Sequence, residues 1–245
     1  MPIGKNKTCC GLRFVSVAAY APLLVLLTLA TWTGCSVWPF KNEQRTSIIT
    51  PSMRISTIRE MGARAAQADS DQQQRITDQL AQQIRTEPDP LVRLTIQETV
   101  AEFDTSLAQM ILLAGLNDTD RDVRMVCCRK LGQRAAKSDS MAGHLNSVAE
   151  LKRVLQQDKD IDVQFAAIDA LGQISDTESI QALSVALHDR NPAMQYAGVQ
   201  ALKQASGQDF GNEVESWRQY ADGENPQILP TTSIAQKAKG MIPFR

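Results

Sequence analysis

Histidine is nearly missing from this 245-residue chain, which has only His144 and His188. His144 has no acidic or cysteine neighbour at ligand spacing, and His188 directly follows Leu187 at the end of a helical stripe. A cation at a helix C-terminus is favoured by the dipole, so His188 has a structural explanation. Catalysis asks for a nucleophile with its base, paired carboxylates or a metal cluster, and the sequence offers none of these. Carboxylates such as Asp118, Asp120, Asp158, Asp160, Asp176 and Glu178 fall at capping and loop places. A glycine-rich phosphate loop is lacking too; Gly132 and Gly172 recur at one repeat position and read as helix-packing or helix-end residues. Aromatic residues are 5% of the chain, too sparse for the stacking platforms of single-strand binding proteins. An excess of positive charge is also absent, with 26 Lys and Arg against 27 Asp and Glu, which leaves no footprint for nucleic acid. No enzyme, cofactor, metal site or nucleic-acid partner is therefore expected.

A disulfide framework is excluded as well. Of five cysteines, Cys9 and Cys10 lie in the leading segment and Cys35 just past it, while Cys127 and Cys128 are adjacent on one expected helix. Neighbours on a helix point about 100° apart, so a bridge between them would be strained. Both read as small buried core residues.

What is present is a repeat. Five copies of one pattern place a capping residue, an apolar residue three positions on and another apolar residue eight positions later: Thr50-Met53-Met61, Asp89-Val92-Val100, Asp120-Val123-Leu131, Asp160-Val163-Leu171 and Asn191-Met194-Leu202. Thr, Asp and Asn accept hydrogen bonds from the free N–H groups at a helix start. Pro51, Pro90 and Pro192 follow three of the caps, at the one helical position where a missing N–H costs nothing. Positions eight apart lie on nearly one face, so each copy is a capped helix with a buried stripe. Apolar residues at helical spacing mark a second helix before each later copy, at Ile76-Leu80-Ile84, Leu107-Ile111-Leu116, Leu151-Leu155 and Ile180-Leu183-Leu187, and a last one at Val214-Trp217-Tyr220. The unit is a helical hairpin that must stack on neighbours to bury its faces. The anchors Met53, Val92, Val123, Val163 and Met194 are 39, 31, 40 and 31 residues apart. The extra residues of the long units, from Gly62 to Ser70 and from Gly132 to Ser140, match at six positions with an offset of 70. A duplicated two-hairpin block is the simplest reading.

The stretches Asp120-Arg121-Asp122-Val123-Arg124 through Lys130-Leu131-Gly132, and Asp160-Ile161-Asp162-Val163-Gln164 through Ala170-Leu171-Gly172, resemble HEAT repeats. The closer likeness is to the short class named after phycobilisome lyases, with its D-x-x-V-R-x-x-A-x-x-A-L-G pattern, and it covers roughly residues 50–221. It implies an all-α fold, a right-handed α-α superhelix of about five repeats that serves as a binding surface. In such repeats the arginine after the anchor commonly pairs with acids of neighbouring units, which gives Arg54, Arg93 and Arg124 a structural ladder role. Gln164 and Gln195 end that ladder. The second helix of each pair lines the concave side of HEAT-like stacks, which points to the capped helices. There Arg59, Gln97, Arg129, Asp169 and Gln200 fall near equivalent turns. Their mixed signs fit a protein groove better than an anionic polymer. The His-Glu pairs of di-iron hydroxylases built on HEAT repeats do not occur.

Residues 1–34 are of another kind. Lys5, Lys7 and Arg13 precede an apolar run from Phe14 to Trp32, and no acidic side chain occurs among them. Without those three cations the remaining chain has 23 basic against 27 acidic side chains, a formal charge of −4. A basic start, an apolar centre and small residues before a cut describe an export signal. Trp32-Thr33-Gly34-Cys35 resembles a bacterial lipobox with Trp32 in the place of its usual leucine, which implies a lipid on Cys35. An uncleaved signal anchor is a second reading, since the run approaches the roughly 20 residues that span a bilayer, and an ordinary secretory signal is a third. In the first two the remainder is exported and stays attached to a membrane. Ser36 rather than aspartate follows Cys35, which under one bacterial sorting rule points to the outer membrane.

The expected organisation is a signal peptide or anchor over 1–34, a tether over 35–49, the repeat domain over 50–221 and a tail over 222–245. The expected function is a non-catalytic scaffold at a bacterial envelope membrane that binds another protein. Alternatives are a lyase-type repeat enzyme or enzyme accessory, and a structural envelope protein that self-associates through its terminal hairpins.

Overall fold

The computed structural model describes residues 49–137, 141–224 and 226, with the side chains of 141–145 outside that description. The export signal, Cys35 and the tail from residue 227 therefore lie outside the described residues, as does the side chain of His144.

Among the described residues there are ten α-helices and no strand: α1 (Pro51–Ala65), α2 (Ser70–Thr86), α3 (Pro90–Val100), α4 (Ser106–Gly115), α5 (Arg121–Lys137), α6 (Met141–Gln157), α7 (Ile161–Gly172), α8 (Thr177–Leu187), α9 (Pro192–Ser206) and α10 (Val214–Ala221). The odd-numbered helices are the capped ones. Each starts where its cap accepts a backbone N–H: Thr50 from Met53, Asp89 from Leu91, Asp120 from Asp122 and Val123, Asp160 from Asp162, and Asn191 from Ala193. The even-numbered helices use the same device at Asp69, Thr105 and Asp176. Side-chain caps of this kind typically stabilise a helix by about 1 kcal/mol each.

The helices form two layers. α1, α3, α5, α7 and α9 pack in succession on one another, α2, α4, α6, α8 and α10 do the same, and each hairpin joins the layers. This is an α solenoid, as the repeat pattern requires. The anchors Val92, Val123 and Val163 are fully buried and Met194 is nearly so, whereas Met53 is 49% exposed. α1 opens the described stack without a preceding partner helix, so its anchor has nothing to pack under.

Two details depart from the sequence reading. The extra residues of the long units do not simply follow the capped helices: α1 and α5 continue through Gly62 and Gly132 to Ala65 and Lys137. These two glycines, with Gly172, are contact points between capped helices. A Cβ on Gly132 would stand 2.7 Å from the Cα of Ala170, one on Gly172 2.9 Å from the Cα of Ala201, and one on Gly62 2.9 Å from Cγ2 of Thr99. Secondly, the last helix has a cover within the described residues. Gly207, at φ +67°, ends α9 in the left-handed region. The chain then turns back to set Phe210 against Trp217 at 4.9 Å between ring centroids, edge to face, with Tyr220 at 5.2 Å from Phe210. Trp217 is fully buried and donates its indole N–H to the Gly211 carbonyl. Arg218 of α10 donates to the Leu187 carbonyl at 2.7 Å, satisfying the end of α8.

Candidate functional site

The arginines after the anchors cross from one unit to the next. Arg54 donates to Glu87 at 3.0 Å. Arg93 holds Asp118 through two bonds of 2.8 and 2.7 Å, and Arg124 holds Asp158 through two of 2.7 and 3.0 Å. Each acid sits two residues before the next cap and also accepts that cap's backbone N–H. The third nitrogen of Arg93 and of Arg124 donates to carbonyls of its own preceding loop, at Pro88 and Asp118. One guanidinium thus fastens two successive loops, with the fork geometry that only arginine supplies. Gln164 and Gln195 keep the bond to their own loop, at Asp158 O and Asp189 O, both 2.7 Å. Neither glutamine supplies the charge that would reach the next acid.

Burial works against the charged forms of Asp118 and Asp158. The bonds from Arg93 and Arg124, together with a backbone N–H, outweigh it and hold both carboxyls below the usual range. The same bonds raise Arg93 and Arg124. The Arg124 and Asp158 side chains are only 8% and 9% exposed, so the pair is fully engaged within the fold.

On the outer side of the capped helices a different row runs across the stack. Arg59, Arg129, Asp169 and Gln200 are exposed, each six residues after its anchor. Gln97 is not part of this row, contrary to expectation. It is 1% exposed and donates its amide to the Ile111 carbonyl at 3.3 Å. It lies five residues after Val92 rather than six, and one residue is about 100° of helix rotation, enough to carry a side chain from surface to core. The exposed residue at the equivalent turn is Glu98. The row therefore reads Arg59, Glu98, Arg129, Asp169, Gln200, alternating in sign along four adjacent helices. Partial burial raises the Asp169 carboxyl from its ordinary value, with Arg129 on the neighbouring helix opposing the shift. Exposed pairs flank the row, Lys130 with Glu102 at 2.8 Å and Arg121 with Asp162 at 3.2 Å.

Arg134, unremarked in the sequence, reaches from the extension of α5 to the Ala101 and Phe103 carbonyls at 3.0 and 2.7 Å and to Gln109 at 3.2 Å. It closes the end of α3, and burial lowers its pKa. Its match with Arg64 across the offset of 70 does not signal this role, because Arg64 is exposed and donates only to the Glu60 carbonyl of its own helix.

Among the described residues chemically reactive groups are not assembled. Cys127 and Cys128 are free and fully buried, and burial pushes the Cys128 thiol up to about 12 and Cys127 well above its ordinary value. Such thiols stay protonated and inert. His188 is exposed, with Nδ1 2.9 Å from the Ser184 carbonyl. Among the described residues no three His, Cys, Asp or Glu side chains are grouped to hold a metal ion, and no helix is long and apolar enough to cross a membrane.

No curated protein matches the chain. Residues 148–214 match the family model of HEAT repeats, which commonly serve as protein-interaction scaffolds. With α7, α8 and α9 inside that match and the same hairpin repeated before it, the chain is an α solenoid whose residues 148–214 are similar to HEAT repeats.

Proposed function

We propose that this protein is a non-catalytic binding scaffold, tethered to a bacterial envelope membrane by a lipid on Cys35, that engages a partner protein along the row Arg59, Glu98, Arg129, Asp169 and Gln200. The observation that carries the reading is the row itself. Four of the repeats present an exposed charge at one turn, and the signs alternate, while the ladder charges are consumed within the fold. A surface of alternating sign selects a partner by register and excludes a uniformly charged polymer. Solenoids characteristically present such extended faces. The tether rests on the basic, acid-free leader and on Thr33-Gly34-Cys35; acyl chains contribute about 0.8 kcal/mol per buried CH₂, so several chains on one cysteine give lasting attachment.

The test is crosslinked affinity capture of the full-length protein from its native membranes, read by mass spectrometry, beside an Arg59→Glu/Arg129→Glu variant. One abundant partner captured by the wild type and lost with the variant, together with an acylated peptide starting at Cys35, supports the reading. Equal capture by both proteins overturns the row as the contact surface. An intact N-terminal segment overturns the lipid.

A further inference from the structure

Beneath the even-numbered layer lies a cavity of about 430 Å³ between α2 and α4, with α3 as its floor. Ile84 and Ile111 are among the residues that wall it, Arg85, Met110 and Ala114 stand at its exposed rim, and Gln97 lines it from α3. Gln97 is out of keeping with the rest of the molecule. The same position, five after the anchor, holds Ile58, Cys128, Ile168 and Val199 in the other units, all within 1% of full burial. Here alone the core position is polar, and although the amide N–H₂ is used on Ile111, Oε1 is buried with no hydrogen-bond partner. Leaving an acceptor unsatisfied is costly, so a unit that departs from an apolar consensus in this way points to a ligand that supplies the donor. Gly115 makes room for the arrangement, because a Cβ there would collide with the Gln97 side chain and with Cys127 Sγ.

The rim narrows the chemistry. Met110 is 57% exposed, and its thioether favours the edge of an aromatic ring. Arg85 is exposed and, among the described residues, makes no ion pair or hydrogen bond, leaving its guanidinium free to lie over a ring face. The volume falls in the range of sites that enclose a ligand group. A leucine would satisfy only the walls and a phenylalanine only the walls and rim; an indole satisfies both and offers an N–H to Gln97.

We propose that this cavity receives a tryptophan side chain of a partner protein. The source of the ring rests on the scaffold reading above, whereas the chemistry of the cavity is read independently of it. The experiment uses the full-length protein in detergent with labelled methionine and isoleucine methyl groups, and titrates indole, N-acetyltryptophanamide and benzofuran, which has the shape of indole without its N–H. Indole and the amide are expected to shift the Met110, Ile84 and Ile111 methyl signals, with indole binding about fivefold more tightly than benzofuran, the worth of one neutral hydrogen bond. In Gln97→Met that preference disappears while the protein unfolds at no lower denaturant concentration, because the unsatisfied acceptor is gone. Ala114→Phe, at the rim and clear of the core, blocks all three probes. Equal binding of indole and benzofuran to the wild type, or shifts confined to other methyl groups, overturns the site. Binding of indole without the amide overturns the protein source of the ring. These outcomes do not depend on whether the Arg59 and Arg129 variant loses its partner.

Discussion

The junction between α3 and α5 and the junction between α7 and α9 perform the same task with different chemistry. At the first, Arg93 holds Asp118 by two bonds, Lys130 meets Glu102, and Arg134 closes the end of α3; the residue at the glycine position is Ala101. At the second, Gln164 stands in place of the arginine and Gly172 lets the backbone of α9 come within van der Waals reach at Ala201. One is fastened by charge and the other by proximity. The junction of α5 with α7 has both devices, Arg124 with Asp158 and Gly132 against Ala170. A solenoid adds its stability from nearest-neighbour interfaces, so each interface can be built differently without altering the fold.

Removing the charge at the doubly fastened junction is expected to have the largest effect. Arg124→Met leaves Asp158 buried beside a neutral side chain, and denaturation should show a loss of about 3 kcal/mol; a loss below about 1 kcal/mol would mean that proximity alone carries that junction. Next comes Gly172→Val, which drives a side chain into the Ala201 backbone. Overpacking of this kind costs about 2 kcal/mol, read as a lower midpoint in chemical denaturation.

Acid separates the two kinds of junction more gently. Asp118 and Asp158 have folded pKa values below their unfolded ones. Their contribution is complete above the ordinary carboxylate value near ~3.9 and is lost as pH falls through the lower folded values. The unfolding midpoint should therefore fall below about pH 4, and fall less steeply in Arg124→Met, where one of the two pairs is already broken. The smallest change is a gain: Gln164→Arg restores a partner for half-buried Asp189 and should stabilise by about 0.5 kcal/mol, the ordinary worth of a partly exposed pair. No gain in a chemical denaturation series would show that α7 and α9 are already too close for the fork to fit.

Much of this architecture was legible in the residues. The caps Thr50, Asp89, Asp120, Asp160 and Asn191 begin helices in the structure as they do in the sequence pattern, because a cap, an N1 proline and an apolar stripe are all local signals. The acids that complete the ladder were visible in principle as well, since Glu87, Asp118, Asp158 and Asp189 all precede a cap by two residues. Gln97 went astray because it lies five residues after its anchor where the other four lie six after theirs, and on a helix one residue decides between surface and core. Arg134 was hidden for another reason. The partners through which it closes α3 are backbone carbonyls more than thirty residues away, and carbonyls have no sequence identity to read.

The sequence by itself determined an all-helical stack with a fixed order of hairpins, because periodicity and capping act within a few residues and need no distant contact. It also set the charge and composition that disfavour nucleic acid. Tertiary structure alone decided which glycines bring helices together, that Arg134 closes the end of α3 and which polar side chain lies unsatisfied in the core. Those outcomes depend on distances between segments far apart in the chain, and a pattern that repeats along the sequence cannot state how closely its copies approach.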